Sequence, residues 1–366
     1  MVAGFSRVPG AVTDERGLLH VGNPFVEQRA LAAGDAVTPL GDRRVLAVEG
    51  EDRLSWLDSL TSQAVAHLAP GESTELLVLD PQGRIEHAAS VLDDGQATWL
   101  IADAGDAEAL LTWLMRMRFR LRVAPRDAGD EYAVVGGAAS ALAAVTPAAP
   151  AGTPLVWRDP WPNVGPGGHA YALVEPHPGA ERDWSEAIVT RAEEERIAEA
   201  AARGEIALAG LVAADALRVA AWRPRWSAEV DERSIPHELD WLRTAVHLSK
   251  GCYRGQETVA KVHNLGHPPR RLVALSLDGS ESLLPAPGAS VRDGEDVVGT
   301  VTSFAQHFEE GPIALAIVRR STPVDAPLVV DTEEGPVAAQ QEVVVPPDAG
   351  ATAGVPRLPR LSRRTR

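Results

Sequence analysis

At 366 residues the chain is too long for one ordinary small domain, so two or three domains are expected. An apolar fraction of 45% suffices for a sizeable core, and a formal net charge of −16 excludes a nucleic-acid surface spread over the whole molecule. The single cysteine, Cys252, excludes an intramolecular disulfide and a cysteine cluster able to hold zinc or iron–sulfur unaided, which fits a reducing compartment. Residues 1–10 lack the charged start and apolar run of a signal peptide, and no run of about eighteen apolar residues occurs. A cytoplasmic protein with no membrane partner is the expectation.

In chain order, Val45, Leu46 and Val48 read as a strand. Leu54, Leu57 and Leu60 then recur at helical spacing behind the acidic pair Glu51-Asp52, which suits a helix N-terminus. Residues 74–79 and 85–92 form a hairpin-like pair around Asp80-Pro81-Gln82-Gly83, and 97–102 is a further strand. Leu110, Trp113, Leu114 and Met117 mark an amphipathic helix, followed by predicted strands over 119–124 and 132–135. That order predicts an α+β fold with a split, ferredoxin-like unit rather than a doubly wound sheet.

Residues 138–154, rich in Ala and Pro, read as a surface loop or linker, and 183–203 as a helix carrying Trp184, Ile188 and Ile197. Beyond Pro268 six short β segments follow, at 272–277, 289–292, 297–301, 313–318, 328–330 and 337–345. Turns at Asp278-Gly279, Asp293-Gly294 and Glu334-Gly335 separate them, which predicts a small β-barrel. The tail after Pro346, ending in Arg357, Arg360, Arg363, Arg364 and Arg366, is expected to be disordered.

Two glycine-rich places, Val134-Val135-Gly136-Gly137 and Gly165-Pro166-Gly167-Gly168, supply neither a dinucleotide fingerprint nor a phosphate-loop lysine and read as turns. Arg116, Arg118, Arg120 and Arg122 would form one basic face if they shared a strand, either an anion or RNA contact or a solvated face. His263 and His267 are four apart, but the following Pro268-Pro269 predicts a turn rather than a metal-binding helix face; no metal ligand is assigned. Around Trp222 and Trp226, Arg223 and Arg225 suggest either packing at a domain junction or a slot in which indole stacks on a flat ring while guanidinium holds a carboxylate.

The segment Lys250-Gly251-Cys252-Tyr253-Arg254-Gly255-Gln256-Glu257 concentrates chemistry. Its two glycines predict a tight loop, leading into a strand over 258–262. Cys252 lies between Lys250 and Arg254, whose positive charge would favour thiolate if the loop is accessible. The alternative is a small buried cysteine in a packed turn.

This run resembles the signature of the YgfZ-type folate-binding proteins, relatives of the glycine-cleavage T-protein (aminomethyltransferase). Asp215-Ala216-Leu217-Arg218-Val219, Pro236-His237-Glu238-Leu239, Gly299-Thr300-Val301-Thr302-Ser303, His307 and Gly311-Pro312-Ile313-Ala314-Leu315-Ala316 extend the resemblance over roughly 22–320. It implies three domains around a central channel: a discontinuous folate-binding domain (22–42 and 136–267), an inserted ferredoxin-like domain (43–135), a C-terminal β-barrel (268–346) and a disordered basic tail (347–366). It implies tetrahydrofolate or a folate derivative as cofactor, with Arg218 and Arg223 as cation candidates and Trp222 or Trp226 as slot walls. Tyr253, Gln256 and Glu257 are implied beside the cofactor.

The same resemblance implies an accessory role in assembling or maintaining iron–sulfur proteins rather than an enzyme. Cys252 would be the functional thiol and Lys250 and Arg254 its electrostatic setting. Iron–sulfur client or assembly proteins would be the partners, with the thiol supplying one shared ligand or forming a transient adduct. The alternative is a tetrahydrofolate-dependent one-carbon transferase. Against it, Gln82-Gly83-Arg84-Ile85-Glu86-His87 carries no aspartate after Ile85, where T-proteins have one, leaving Glu86 as the substitute. The T-protein segment bearing a glutamate near the pterin is replaced here by Gly165–Gly168.

Overall fold

The computed structural model describes residues 2–280 and 283–354. An N-terminal hairpin, β1 (Ala11–Asp14) and β2 (Gly17–Val21), leads to α1 (Pro24–Ala32). The Asn23 side chain accepts from the Phe25 N–H and Pro24 opens the helix, two independent start signals. The short β3 (Thr38–Pro39) follows.

The next stretch comprises β4 (Arg43–Glu49), α2 (Arg53–Leu60), β5 (Ser73–Leu79), β6 (Ile85–Asp93), β7 (Ala97–Asp103), α3 (Ala104–Met117) and β8 (Ala124–Asp127). Its five strands form one antiparallel sheet in the order β5-β6-β7-β4-β8. Trp56 and Leu57 of α2 and Leu110 and Leu114 of α3 share a core with Leu46, Leu76 and Leu100 of the strands. The strand expected over 119–124 is displaced: pairing starts only at Ala124, after a turn in which Phe119 has a φ of +44°. The turn is fixed by Arg122, whose guanidinium pairs with Glu51 and Asp52 at the start of α2.

β9 (Tyr132–Gly137), α4 (Ala139–Leu142), β10 (Val156–Arg158), β11 (Ser185–Thr190) and α5 (Arg191–Ala202) build a second sheet, ordered β10-β11-β9-β3. β9 therefore pairs here and not with the first sheet. The helix expected over 183–203 starts only at Arg191. Ser185 to Val189 are buried between β9 and β10 in a strand, and the Thr190 side chain caps α5 by accepting from the Glu193 N–H. A short apolar run buried on both faces looks alike as helix or strand from periodicity alone. Residues 138–154 are no linker: Leu142, Val145 and Ala148 are buried, and Ala148 donates to the Ile188 carbonyl at 2.8 Å.

α6 (Leu211–Ala220), the single-turn α7 (Trp226–Glu229) and α8 (Gln256–Leu265) lie between this sheet and the last unit. There β12 (Arg270–Leu277), β13 (Ser290–Asp293), β14 (Asp296–His307), β15 (Gly311–Arg319), β16 (Leu328–Asp331) and β17 (Pro336–Val343) close into a barrel ordered β12-β15-β14-β13-β16-β17. Val273, Val291, Val301, Ala316 and Val330 fill it. Part of the segment expected to be disordered is packed: Ala349 is buried and the Thr352 N–H donates to the His263 carbonyl at the end of α8. The arginines from Arg357 onward lie outside the described residues. Among the described residues no helix is long and apolar enough to cross a membrane.

Candidate functional site

The Lys250–Glu257 loop is a presented hook with three ties. Lys250 Nζ donates to the backbone carbonyls of Asp58 (2.5 Å), Thr61 (2.9 Å) and Gln63 (2.7 Å), clamping the C-terminal end of α2. Its side chain is only 3% exposed, and burial lowers its pKa. Gln256 closes the loop by donating to the carbonyl of Lys250 at 3.2 Å. Arg254 reaches across to Glu86 of β6, with Nη1 2.5 Å from Oε2. Both cations expected to set the thiol's electrostatics are thus engaged by other groups. Cys252 itself is exposed at the tip, which removes the buried-turn alternative.

Gly255 shows why the loop needs its glycine. It has a φ of +83°, and a Cβ there would sit 2.5 Å from the Asp80 carbonyl oxygen. The β5–β6 hairpin turn therefore packs directly on the start of α8. Gly251 has open space around it and no left-handed backbone angle. The segment after Gly255 is helix, not the expected strand. Gly255 is its N-cap, Glu257 lies exposed in the first turn with its charge towards the helix's positive end, and Val259 is the one buried position. Tyr253 is buried in the core with Leu79, Val259 and Leu272. His263 also lies on this helix, its ring 3.0 Å from the Tyr171 hydroxyl, whereas His267 beyond it bonds the Ala349 carbonyl.

A second place, remote in sequence, has the character of a binding site. A narrow cavity of ≈ 80 Å³ lies among the first sheet, the second sheet and α6–α7. Arg218, Arg223 and Trp226 line it, together with Glu75, Trp157, Asp159, Arg182, Trp184, Glu186, Arg225 and Trp241. Trp222 does not. It is buried with a φ of +56°, and its ring meets His177 edge-on at 5.6 Å. Tyr253, Gln256, Glu257 and Cys252 are likewise absent from the cavity wall.

The lining carries as many arginines as carboxylates, and most are neutralised in place. Arg218 pairs with Asp215 (2.9 Å) and Glu229 (3.1 Å) and donates to Ser303 on the barrel (2.7 Å). Arg223 pairs with Glu75 (2.7 Å) and Asp159 (3.3 Å), with its guanidinium over the Trp161 ring. Arg225 bridges Asp42 (2.7 Å) and Asp103 (2.5 Å). Burial alone would raise the Asp103 carboxyl, but Arg43 and Arg225 overcome it and bring it down to about 2.

Four lining residues keep a buried polar atom without a protein partner: the donors Arg43 Nε, Arg223 Nη1 and Trp241 Nε1 and the acceptor Glu186 Oε2. Burial pushes the Glu186 carboxyl up, and its other oxygen accepts from Trp184 Nε1 at 3.2 Å. Unmatched buried polar atoms are costly, and the four around this cavity offer both donors and an acceptor to a polar ligand.

Sequence reasoning reached Arg218, Arg223 and Trp226 but missed Glu75, Glu186, Trp184 and Trp241. One signal existed: Glu75 and Glu186 directly precede the apolar runs 76–79 and 187–189, where a charge needs a reason to stay. Nothing local says that those strands face each other. The Glu86 carboxylate lines an outer groove rather than the cavity, and β6 presents Ala88, Ala89 and Ser90 to the cavity. Trp226 lines both spaces and donates from Nε1 to the Glu86 carbonyl. Gly165–Gly168 forms a turn, with the Gly168 N–H donating to the Gly165 carbonyl.

No protein-family model matches the chain. It is 28% identical over 303 residues to an aminomethyltransferase of Rippkaea orientalis, covering 78% of this chain and 79% of that one. It is 35% identical over 111 residues to the mitochondrial iron–sulfur cluster assembly factor IBA57 of Mus musculus, covering 30% and 29% of the two chains. The fold matches the crystal structure of the glycine cleavage system aminomethyltransferase T from Bartonella henselae. The TM-score is 0.69 over 92% of this chain and 93% of that one, at 18% identity.

Proposed function

We propose, on the premise that this chain is a T-protein-like relative of the aminomethyltransferases, that it binds tetrahydrofolate or a folate derivative in the central cavity. It acts in the cytoplasm as a YgfZ-type accessory protein in the assembly or maintenance of iron–sulfur proteins, with Cys252 as the functional thiol. The observation that carries the ligand class is the set of four unpartnered buried atoms, Glu186 Oε2, Arg43 Nε, Arg223 Nη1 and Trp241 Nε1, in a cavity walled by indoles. A pterin is flat, and its edge offers N–H donors to a carboxylate and carbonyl and ring-nitrogen acceptors to donors. The iron–sulfur half rests on the partial likeness to the assembly factor and on a thiol that faces outward, where another protein can reach it. Domain limits at 43–135 and 268–346, flanking a discontinuous folate-binding part, belong to the same proposal.

The alternative, a one-carbon transferase, is favoured by the similarity to an aminomethyltransferase over most of the chain. It is weakened because Glu86, the candidate for the missing aspartate, is engaged by Arg254 and lies outside the cavity. Titrating the purified protein with tetrahydrofolate tests the reading. Wild type and Cys252→Ala should bind equally, and Glu186→Gln should bind about tenfold more weakly, about 1.4 kcal/mol. Equal affinity in all three would remove the cavity assignment, and steady turnover of methylene-tetrahydrofolate would establish the transferase instead.

A further inference from the structure

The segment after α3 is an exposed knuckle on a pinned base. On one side Trp56 Nε1 donates to the Met117 carbonyl at 3.0 Å. On the other the Arg122 N–H donates to Asp52 Oδ2 at 2.9 Å, and its guanidinium pairs with Glu51 and Asp52. Gly50 lets the returning strand lie flat, since a Cβ there would stand 2.0 Å from the Arg122 carbonyl oxygen. Between these anchors the chain turns outward. Phe119 is 78% exposed at a φ of +44°, and Leu121 and Met115 are 46% and 41% exposed. A bulky residue held in the left-handed region is strained, and here its side chain contributes almost nothing to the core.

Around these apolar tips stand Arg116, Arg118 and Arg120. Arg122 is engaged at the base, but none of these three guanidiniums has a partner among the described residues. Three unpaired like charges cluster on a chain whose net charge is −16. An isolated exposed apolar residue needs no explanation; exposed apolar residues interleaved in sequence with unneutralised cations do. Beside the knuckle, Trp113 and Arg116 form one wall of an open groove of ≈ 930 Å³, whose other walls include Glu86, Glu108, Trp226 and Glu232. Glu86 is the residue that grips Arg254 of the thiol loop.

We propose that this knuckle and the adjoining groove are a docking surface for a partner protein, one that presents an amphipathic, acidic segment. Its carboxylates meet Arg116, Arg118 and Arg120, and its apolar face covers Phe119 and Leu121. The segment continues along the groove towards the loop that carries Cys252. The charge pattern selects a protein over a lipid surface. A flat anionic membrane that met the three arginines would also meet the groove's carboxylates and the acidic body, and would be repelled. A protein segment can place opposite charges a few residues apart.

The test uses the full chain and two synthetic amphipathic helical peptides with the same Leu/Phe face, one with a glutamate face and one with a lysine face. Fluorescence anisotropy at low salt measures binding, with phosphatidylserine vesicles as a third probe. The glutamate peptide should bind, and Arg118→Glu with Arg120→Glu should weaken it by about tenfold or more. Phe119→Ser should weaken it comparably, and the lysine peptide should not bind. All three substituted side chains are exposed, so unchanged unfolding midpoints are expected. The milder Arg118→Gln/Arg120→Gln variant repeats the comparison if charge reversal disturbs the fold. No binding of the glutamate peptide, equal binding of both peptides, or unchanged affinity in the variants overturns the proposal. Vesicle binding that the same substitutions abolish overturns it in favour of a membrane.

Discussion

The Lys250–Glu257 loop and the central cavity are built on opposite plans. The loop is eight consecutive residues whose side chains mostly hold the loop itself in place. Lys250 clamps α2, Arg254 grips Glu86, Gln256 closes the turn, Tyr253 fills the core, and Cys252 is left facing outward. The cavity draws Glu75, Glu186, Arg223 and Trp241 from separate strands and turns up to 166 positions apart, and its distinctive atoms are those left without partners. A dense motif can therefore be mainly scaffolding around one working group, while a binding site can carry no motif at all.

The largest test of this contrast is Lys250→Ala. It strips the hydrogen bonds from three backbone carbonyls at the end of α2 and should destabilise the protein by about 3 kcal/mol in urea denaturation. A loss under about 1 kcal/mol would return Lys250 to the role of an electrostatic neighbour of the thiol. Next, Gly255→Ala should cost about 2 kcal/mol, because both the left-handed backbone and the Asp80 carbonyl oppose a methyl group. Gly251→Ala should stay within about 0.5 kcal/mol. Equal costs at the two positions would mean that the hairpin does not press on the loop.

On the cavity side the matching test is a pH dependence. The Asp103 carboxyl has a pKa of about 2 when folded, against its ordinary value of 3.8. A carboxyl depressed by folding adds stability that is complete above the unfolded pKa and is lost as pH falls through the folded one. Wild type should thus exceed Asp103→Asn by roughly 2 kcal/mol above pH ~5, with the difference shrinking between pH ~4 and ~2. A difference that stays flat across that range would show that the ion pairs with Arg43 and Arg225 are not what lowers this group.

How much was legible in the sequence follows from how local each determinant is. The six barrel strands are short apolar-rich segments set off by turn dipeptides, and all six are present in the closed barrel, although β14 runs on to His307 and β17 stops at Val343. The motif told where a glycine-framed thiol loop would be. It misled about the segment beyond, which is the helix α8 and buries only Val259 among its ten residues. β11 misled in the opposite way, being buried on both faces and read as helix.

The sequence by itself determined the α+β class, the barrel and the position of the single thiol, because each rests on spacing or composition within about a dozen residues. Only the tertiary structure decided that Lys250 and Arg254 are engaged away from the thiol, that Cys252 faces outward, and that Glu186, Arg223 and Trp241 surround one cavity. Those outcomes depend on which strands become neighbours and which buried charges find partners. Long-range packing and desolvation settle that, and no local pattern records it.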